Sequence, residues 1–540
     1  MRLRVTAWVC GVMALAALAV AAPAALAQFN PVVEQQNYSK TEERQTIYTT
    51  PQYQVLLTQV SQQNLQDAMA IQRTDPERQF YTDVCWQEGS GCAGDARLYD
   101  WGPQGYGIVR PVLWTARDGA TISGHVWATK AGPAKRPAIV LTEGSVQADE
   151  TLYWYAAQAL AKDGYVVLTW DAQGQGRSDT YGEAPDANEG VPVQTDGRPF
   201  FDGTEDAIDF MLSTPSHPYE PVPSCNSGTS HAAKQNRRVK EGFDAAYNPL
   251  WNLINPSELG IVGHSYGAAG VSYIGQWDKR VKAIVAWDNL GSPSPNGVNF
   301  NGQRVGEQGC VNPADRTTAP IHTPALGMSA DYFLPPTPNT SEPDPTAKST
   351  ESNAYTKAGV DTGELIIRGG SHLDFSFIPF PPTYTPGPPF GATLRGADMI
   401  DWYTSAWFDK YVKHDCTADQ RLLTQRWRYD GEEASIDPNH DGNMFSFYYP
   451  SRLDIHLANG QRYDNENLRT DTHGLTWNDG YNGQYAYINI DRRPDVALTN
   501  WGACPANAKA TQGKKHKRHR ARKRRRGARR GVRGRARFTG

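Results

Sequence analysis

Beyond its first two dozen residues the 540-residue chain has no apolar run long enough to cross a bilayer, which excludes a polytopic membrane protein. It has no paired Cys-x-x-Cys and no His-rich spacing, so nothing favours a zinc site over disulfides for its cysteines. Acidic residues are missing from one stretch altogether: residues 505–540 carry 16 Lys or Arg and no Asp or Glu. Phe538 is the only aromatic residue there, which argues against a specific nucleic-acid reader.

The formal net charge of −3 therefore hides two opposed parts. With the 16 tail cations and Arg2 and Arg4 set aside, 36 basic residues face 57 acidic ones, a body near −21. The tail, residues 505–540, reads as a disordered polycation, either dispensable or a tether to an anionic cell-surface polymer. At the other end Arg2 and Arg4 precede an alanine-rich apolar stretch ending in Ala25-Leu26-Ala27, the pattern of a secretory signal peptide over residues 1–27. A membrane anchor is the competing reading of that stretch; the A-x-A site and the polar residues after it favour removal and an exported, extracellular or cell-surface protein with no transmembrane segment. Without Cys10 six cysteines remain, an even number: Cys85, Cys92, Cys225, Cys310, Cys416 and Cys504. They allow 15 pairings, of which Cys85–Cys92 closes the smallest loop and Cys225–Cys310 and Cys416–Cys504 complete the sequential set.

Residues 28–104 are polar, with one amphipathic helix expected over Pro51 to Arg73 from Leu56, Leu57, Val60, Leu65, Ala68 and Ile71. From residue 105 the texture changes. Ile108 to Ala116 and Thr121 to Ala128, joined by Arg117-Asp118-Gly119, predict a hairpin. Strands are then expected at 137–142, 165–170, 259–262, 281–287, 324–328 and 364–368. Helices are expected at 152–162, 203–213, 268–276 and 397–412. That alternation means an α/β domain over 105–415, its mostly parallel central sheet covered by helices on both faces. Segments 214–255, 288–320 and 335–358 read as insertions that would shape a site, as would the aromatic residues of Pro379 to Phe390. Residues 416–504 read as a small β-rich C-terminal appendage, with short strands such as Met444 to Tyr449 and Tyr485 to Ile490. Within it Asp437-Pro-Asn439-His-Asp441-Gly442 opens like a calcium loop, but Tyr448 stands where the bidentate Glu belongs, so a polar turn is the better reading.

The chemistry centres on Gly263-His264-Ser265-Tyr266-Gly267, set between an apolar strand and a small-residue helix. Gly-x-Ser-x-Gly is the spacing of a nucleophile elbow, in which a tight turn lifts the serine hydroxyl off a sheet. With 50 glycines in the chain the pentapeptide means little alone. Two other loops support it. Asp171-Ala-Gln-Gly-Gln-Gly-Arg-Ser-Asp179 follows a strand; it lacks the third glycine of a dinucleotide fingerprint. It is similar to the Asp-x-Arg-Gly-x-Gly-x-Ser loop of α/β-hydrolases, with Gln173 for the arginine. Thr142-Glu143-Gly144-Ser145-Val146 follows the third strand, where that family has a His-Gly oxyanion loop; Glu143 stands for the histidine.

Over about residues 105–415, then, the chain resembles an α/β-hydrolase, and its Gly369-Gly-Ser-His372 element is similar to that of secreted cutinase-like polyester hydrolases. The resemblance implies the α/β-hydrolase fold, no cofactor, and a triad in the order Ser, acid, His. Ser265 would be the nucleophile, His372 the base and Asp331, trailing the 324–328 strand, the acid. Asp288, one strand earlier, is the reserve acid. Asp374 reads as a local contact, and His264 and His322 as structural. The oxyanion donors would be the N–H groups of Tyr266 and Ser145. The expectation is a secreted serine esterase acting on an ester substrate of unknown size. A peptidase of the same fold and a catalytically retired surface-binding protein remain as alternatives.

Overall fold

The computed structural model describes residues 28–44, 50–78, 93–145, 149–187, 197–293, 319–333, 340–345, 351–376, 394–425, 435–470, 475–476 and 504–505, apart from 103–104, 106, 225–226, 439 and 441. The leader, the basic tail, Cys85, Cys92, Cys225, Cys310 and the aromatic stretch Pro379 to Phe390 lie outside the described residues.

A ten-stranded sheet runs through the middle of the molecule. Its hairpin is β1 (Gly107–Thr115) and β2 (Thr121–Thr129), paired antiparallel around the Asp118-Gly119 turn. Then come β3 (Arg136–Thr142), β4 (Val166–Trp170), β5 (Ile254–His264), β6 (Val281–Trp287), β7 (Ala325–Tyr332) and β8 (Thr362–Ser371). In space the order is β1-β2-β4-β3-β5-β6-β7-β8, and the six strands from β4 to β8 are mutually parallel.

Each parallel strand is apolar on both sides because both faces are covered. Successive residues point to opposite faces: Ile139 and Leu141 join one core with Val262, Val285 and Leu365, while Ala138 and Val140 join the other with Ile261 and Ile284. The helices of the first face are α3 (Trp154–Lys162) and α8 (Leu394–Tyr411), which brings in Trp402 and Trp407. The second face carries α4 (Arg198–Leu212) and α6 (Tyr266–Trp277). The architecture is thus the expected mixed α/β one.

Four features extend the sequence reading. The amphipathic helix expected at 51–73 is α2 (Pro51–Thr74), with Thr50 as N-cap; its Tyr53 and Val60 join the first-face core. Before it lies an unpredicted helix, α1 (Pro31–Arg44). The segments read as insertions contain α5 (Ala232–Glu241) and α7 (Ser352–Ala358). Beyond α8, a short helix α9 (Ala418–Leu422) precedes β9 (Thr424–Gln425), which pairs with β12 (Leu475–Thr476).

Of the described C-terminal strands, only β9 and β12 form a sheet of their own. β10 (Arg452–His456) pairs antiparallel with β8, and β11 (Arg462–Asn465) with β10, so they carry the central sheet onward. Phe445 also bridges to Ile367 of β8. Cys416 and Cys504 are joined in a disulfide with Cα atoms 5.3 Å apart. No described helix is long and apolar enough to cross a membrane.

Candidate active site

β5 ends at His264 and α6 begins at Tyr266, so Ser265 alone makes the turn between them. It takes φ 56° and ψ −118°, a region that L-residues avoid. The turn is held from both sides: Ser265 N–H donates to Trp287 O at 2.9 Å, and Ser265 O accepts from Ala269 N at 3.1 Å. The two glycines of the pentapeptide are demanded by space. A Cβ on Gly263 would sit 2.3 Å from Gly267 O, and one on Gly267 would sit 2.3 Å from Glu143 O.

His372 directly follows β8, and its N–H donates to Phe333 O at 3.0 Å. Ser371 and Asp374 form a reciprocal capping box around it, with Ser371 N–H donating to Asp374 Oδ2 at 2.6 Å, so Asp374 is the local contact expected of it. The ring of His372 packs between Phe333 (centroids 4.6 Å apart) and His264 (4.3 Å apart), which places it next to the residue preceding Ser265. Ser265 Oγ itself makes no hydrogen bond among the described residues.

The carboxylate that meets His372 belongs to Asp288, not Asp331. His372 Nδ1 lies 2.5 Å from Asp288 Oδ2. Asp288 directly follows β6, and its N–H donates to Met328 O at 2.7 Å. It too has a positive φ, 47°, so two of the four non-glycine residues with that strain among the described residues belong to this group. With Nδ1–H held by a carboxylate, the lone pair of His372 is left on Nε2.

The expectation for Asp331 is corrected because β7 runs further than its apolar run suggests. The strand extends to Tyr332, so Asp331 is still inside it and fully buried. Its Oδ2 accepts Gly369 N–H at 2.8 Å, and its Oδ1 accepts from the Ser446 hydroxyl. Glu34 of α1 lies beside it, accepting from the hydroxyls of Tyr448 (2.6 Å) and Tyr332 (3.2 Å). Asp331 therefore belongs to a buried polar network that joins α1, β7, β8 and the 444–448 segment.

On the other side of Ser265 stands the loop after β3. A Cβ on Gly144 would lie 3.0 Å from Ser265 Cβ. Glu143 is fully buried; burial, then the nearby charge of Asp171, pushes its carboxyl well above the usual range. Its Oε1 accepts from Ala172 N and Gln175 Nε2, each at 2.7 Å. His264 is likewise buried; burial, then the neighbouring His372, drives its pKa well below the ordinary value. Its Nδ1 lies 2.8 Å from the Tyr153 hydroxyl. Of the expected oxyanion donors, Tyr266 presents its N–H at the start of α6. Ser145 N–H makes no hydrogen bond among the described residues; Val146, next along, lies outside them.

Residues of this group do not line the cleft between the β1–β2 turn and the start of α4. That cleft is walled by Trp170, Gln173 and Arg117, whose guanidinium is already paired with Asp206 at 2.8 Å. Among the described residues, no three His, Cys, Asp or Glu side chains gather as a metal site. The chain matches no known protein-family model and no curated protein.

Proposed function

We propose that the protein is a secreted serine hydrolase of the α/β-hydrolase type that cleaves carboxylic esters. One observation carries the reading: a serine in a strained strand-to-helix turn, beside a histidine whose Nδ1 is held by a carboxylate at 2.5 Å. All three groups stand at the carboxyl ends of parallel strands, where open α/β sheets collect their chemistry. Ser265, Asp288 and His372 also follow one another in the chain order of that family.

In the mechanism, His372 Nε2 takes the Ser265 proton as Oγ bonds to the acyl carbon. The carbonyl oxygen becomes an oxyanion facing the N–H groups of Tyr266 and Ser145. Collapse expels the alcohol, which leaves with the proton from His372. Water, deprotonated by the same nitrogen, then frees the acid and restores Ser265. Asp288 holds the imidazole tautomer and stabilises its cation throughout. The signal-like leader and the Cys416–Cys504 disulfide favour an oxidising, extracytoplasmic setting. The basic tail is the proposed contact with anionic cell-surface polymer.

A fluorophosphonate probe should label the wild type at Ser265 and leave Ser265→Ala unlabelled, with p-nitrophenyl butyrate hydrolysed only by the wild type. An unlabelled wild type would remove the enzyme reading in favour of a binding protein. Faster turnover of aminoacyl anilides than of esters would favour the peptidase.

A further inference from the structure

The polar side chains around the loop after β3 converge on one glycine. Gly144 N–H donates to the Tyr153 hydroxyl at 2.9 Å. Gly144 O accepts from Gln175 Nε2 at 2.7 Å, and the same amide nitrogen also donates to Glu143 Oε1 at 2.7 Å. Gln175 and Tyr153 are fully buried. The peptide groups on the two sides of Gly144 are therefore each gripped by a different side chain, directly against Ser265.

A trans peptide aims its carbonyl and the following N–H in opposite directions across one plane. The grip of Gln175 on Gly144 O thus sets the direction of Ser145 N–H, which has no hydrogen bond among the described residues. It also polarises that amide, because accepting at the carbonyl makes the N–H on the same peptide a better donor. The Tyr153 hydroxyl, meanwhile, uses up Gly144 N–H and so removes it from the set of groups that a substrate oxygen meets.

We infer that Gln175 and Tyr153 are the positioning residues of the oxyanion site, Tyr153 fixing the peptide before Gly144 and Gln175 the peptide after it, so that Ser145 N–H faces the carbonyl oxygen as it becomes negative. This rests on the serine-hydrolase reading above. Neither residue touches the reacting atoms. Both act through a peptide plane, so their effect falls on the transition state and not on the bound ester.

The test uses the full chain with p-nitrophenyl butyrate as substrate, butylboronic acid as the tetrahedral mimic, and fluorophosphonate titration to count working sites. Gln175→Met keeps the length and removes both N–H donors; Tyr153→Phe removes only a hydroxyl. Per titrated site, Q175M should lose roughly 10- to 100-fold in kcat with KM within about twofold, somewhat less than deleting a donor outright. Its affinity for the boronic acid should fall by the same factor as kcat. Y153F should follow the same pattern, at roughly 3- to 10-fold. A merely structural role would lower the melting temperature and the number of titratable sites, leaving kcat per site unmoved; that result overturns the inference. If Q175M fails to fold, Y153F decides by the same criterion. A wild type that neither labels at Ser265 nor hydrolyses the ester overturns the hydrolase reading, and this inference with it. An active wild type beside unchanged variants overturns the inference alone.

Discussion

Asp288 directly follows β6 and Asp331 lies inside the neighbouring β7, and their surroundings give them different partners. Asp288 Oδ2 meets the imidazole of His372 at 2.5 Å, while its Oδ1 is buried and has no hydrogen-bond partner among the described residues. An acid in that position is used through one oxygen, on one nitrogen. Asp331 accepts from a main-chain N–H and a hydroxyl, and no imidazole is among these partners. The two aspartates can be told apart by measurement. Asp288→Asn should lower kcat by about 10⁴-fold with the fold intact, because the amide favours the wrong imidazole tautomer. Asp331→Asn should leave kcat within about threefold per titrated site and cost roughly 1–3 kcal/mol of stability, since its N–H₂ group is brought against donors. Kinetics and urea unfolding of both variants check this; a large kcat loss confined to D331N would return the acid's role to Asp331.

At the scale of elements, α2 and the residues that follow it are bound to the domain by ionic contacts as well as apolar ones. Arg238 of α5, fully buried, bonds Asp75 after α2 at 2.7 Å and Asp244 after α5 at 2.9 Å. Removing one partner from such a group leaves the others buried and uncompensated, which costs roughly 3–5 kcal/mol. Arg238→Met should therefore lower the unfolding free energy by about that much and open the 50–78 region to limited proteolysis; an unchanged denaturation midpoint would contradict it. The same contacts explain why α5 escaped the sequence reading. Ala-Ala-Lys-Gln-Asn-Arg-Arg-Val-Lys-Glu has no apolar stripe, and its helix is anchored by Arg238 to residues more than 150 positions away. α2, by contrast, was legible because it carries apolar residues at helical spacing behind a Thr cap and a proline. Asp331 was misread for a related reason. The length of β7 beyond Met328 is set by its pairing with β8 and by Ser446, none of which leaves a mark near residue 331.

Over the whole molecule, the parallel sheet was legible because strands buried on both faces are continuous apolar runs. The order of Ser265 and His372 was legible because each sits at the end of such a run. The clamp on Gly144 was not, since it depends on where a glutamate, a glutamine and a tyrosine meet after folding. That polar layer also gives the protein a pH dependence. Glu143, Asp149 and Asp171 are buried, and burial raises the pKa of each; for Asp149 it rises from 3.8 to about 6. An acid with a raised folded-state pKa binds its proton more tightly when folded, so its contribution is complete below the unfolded value, near 4, and is lost as pH climbs through about 6. The contribution of these carboxyls should accordingly fall from pH 4 to pH 7, by up to about 1.4 kcal/mol per pH unit for each such proton. Asp149→Asn keeps the oxygen that accepts Thr151 N–H at 2.9 Å and removes the titration. Urea unfolding across that range should give D149N a shallower decline than the wild type, the two curves separating by on the order of 3 kcal/mol by pH 7. Comparing the two proteins cancels the histidines and every other titrating group they share, and parallel curves would mean that Asp149 is ionised in the folded protein.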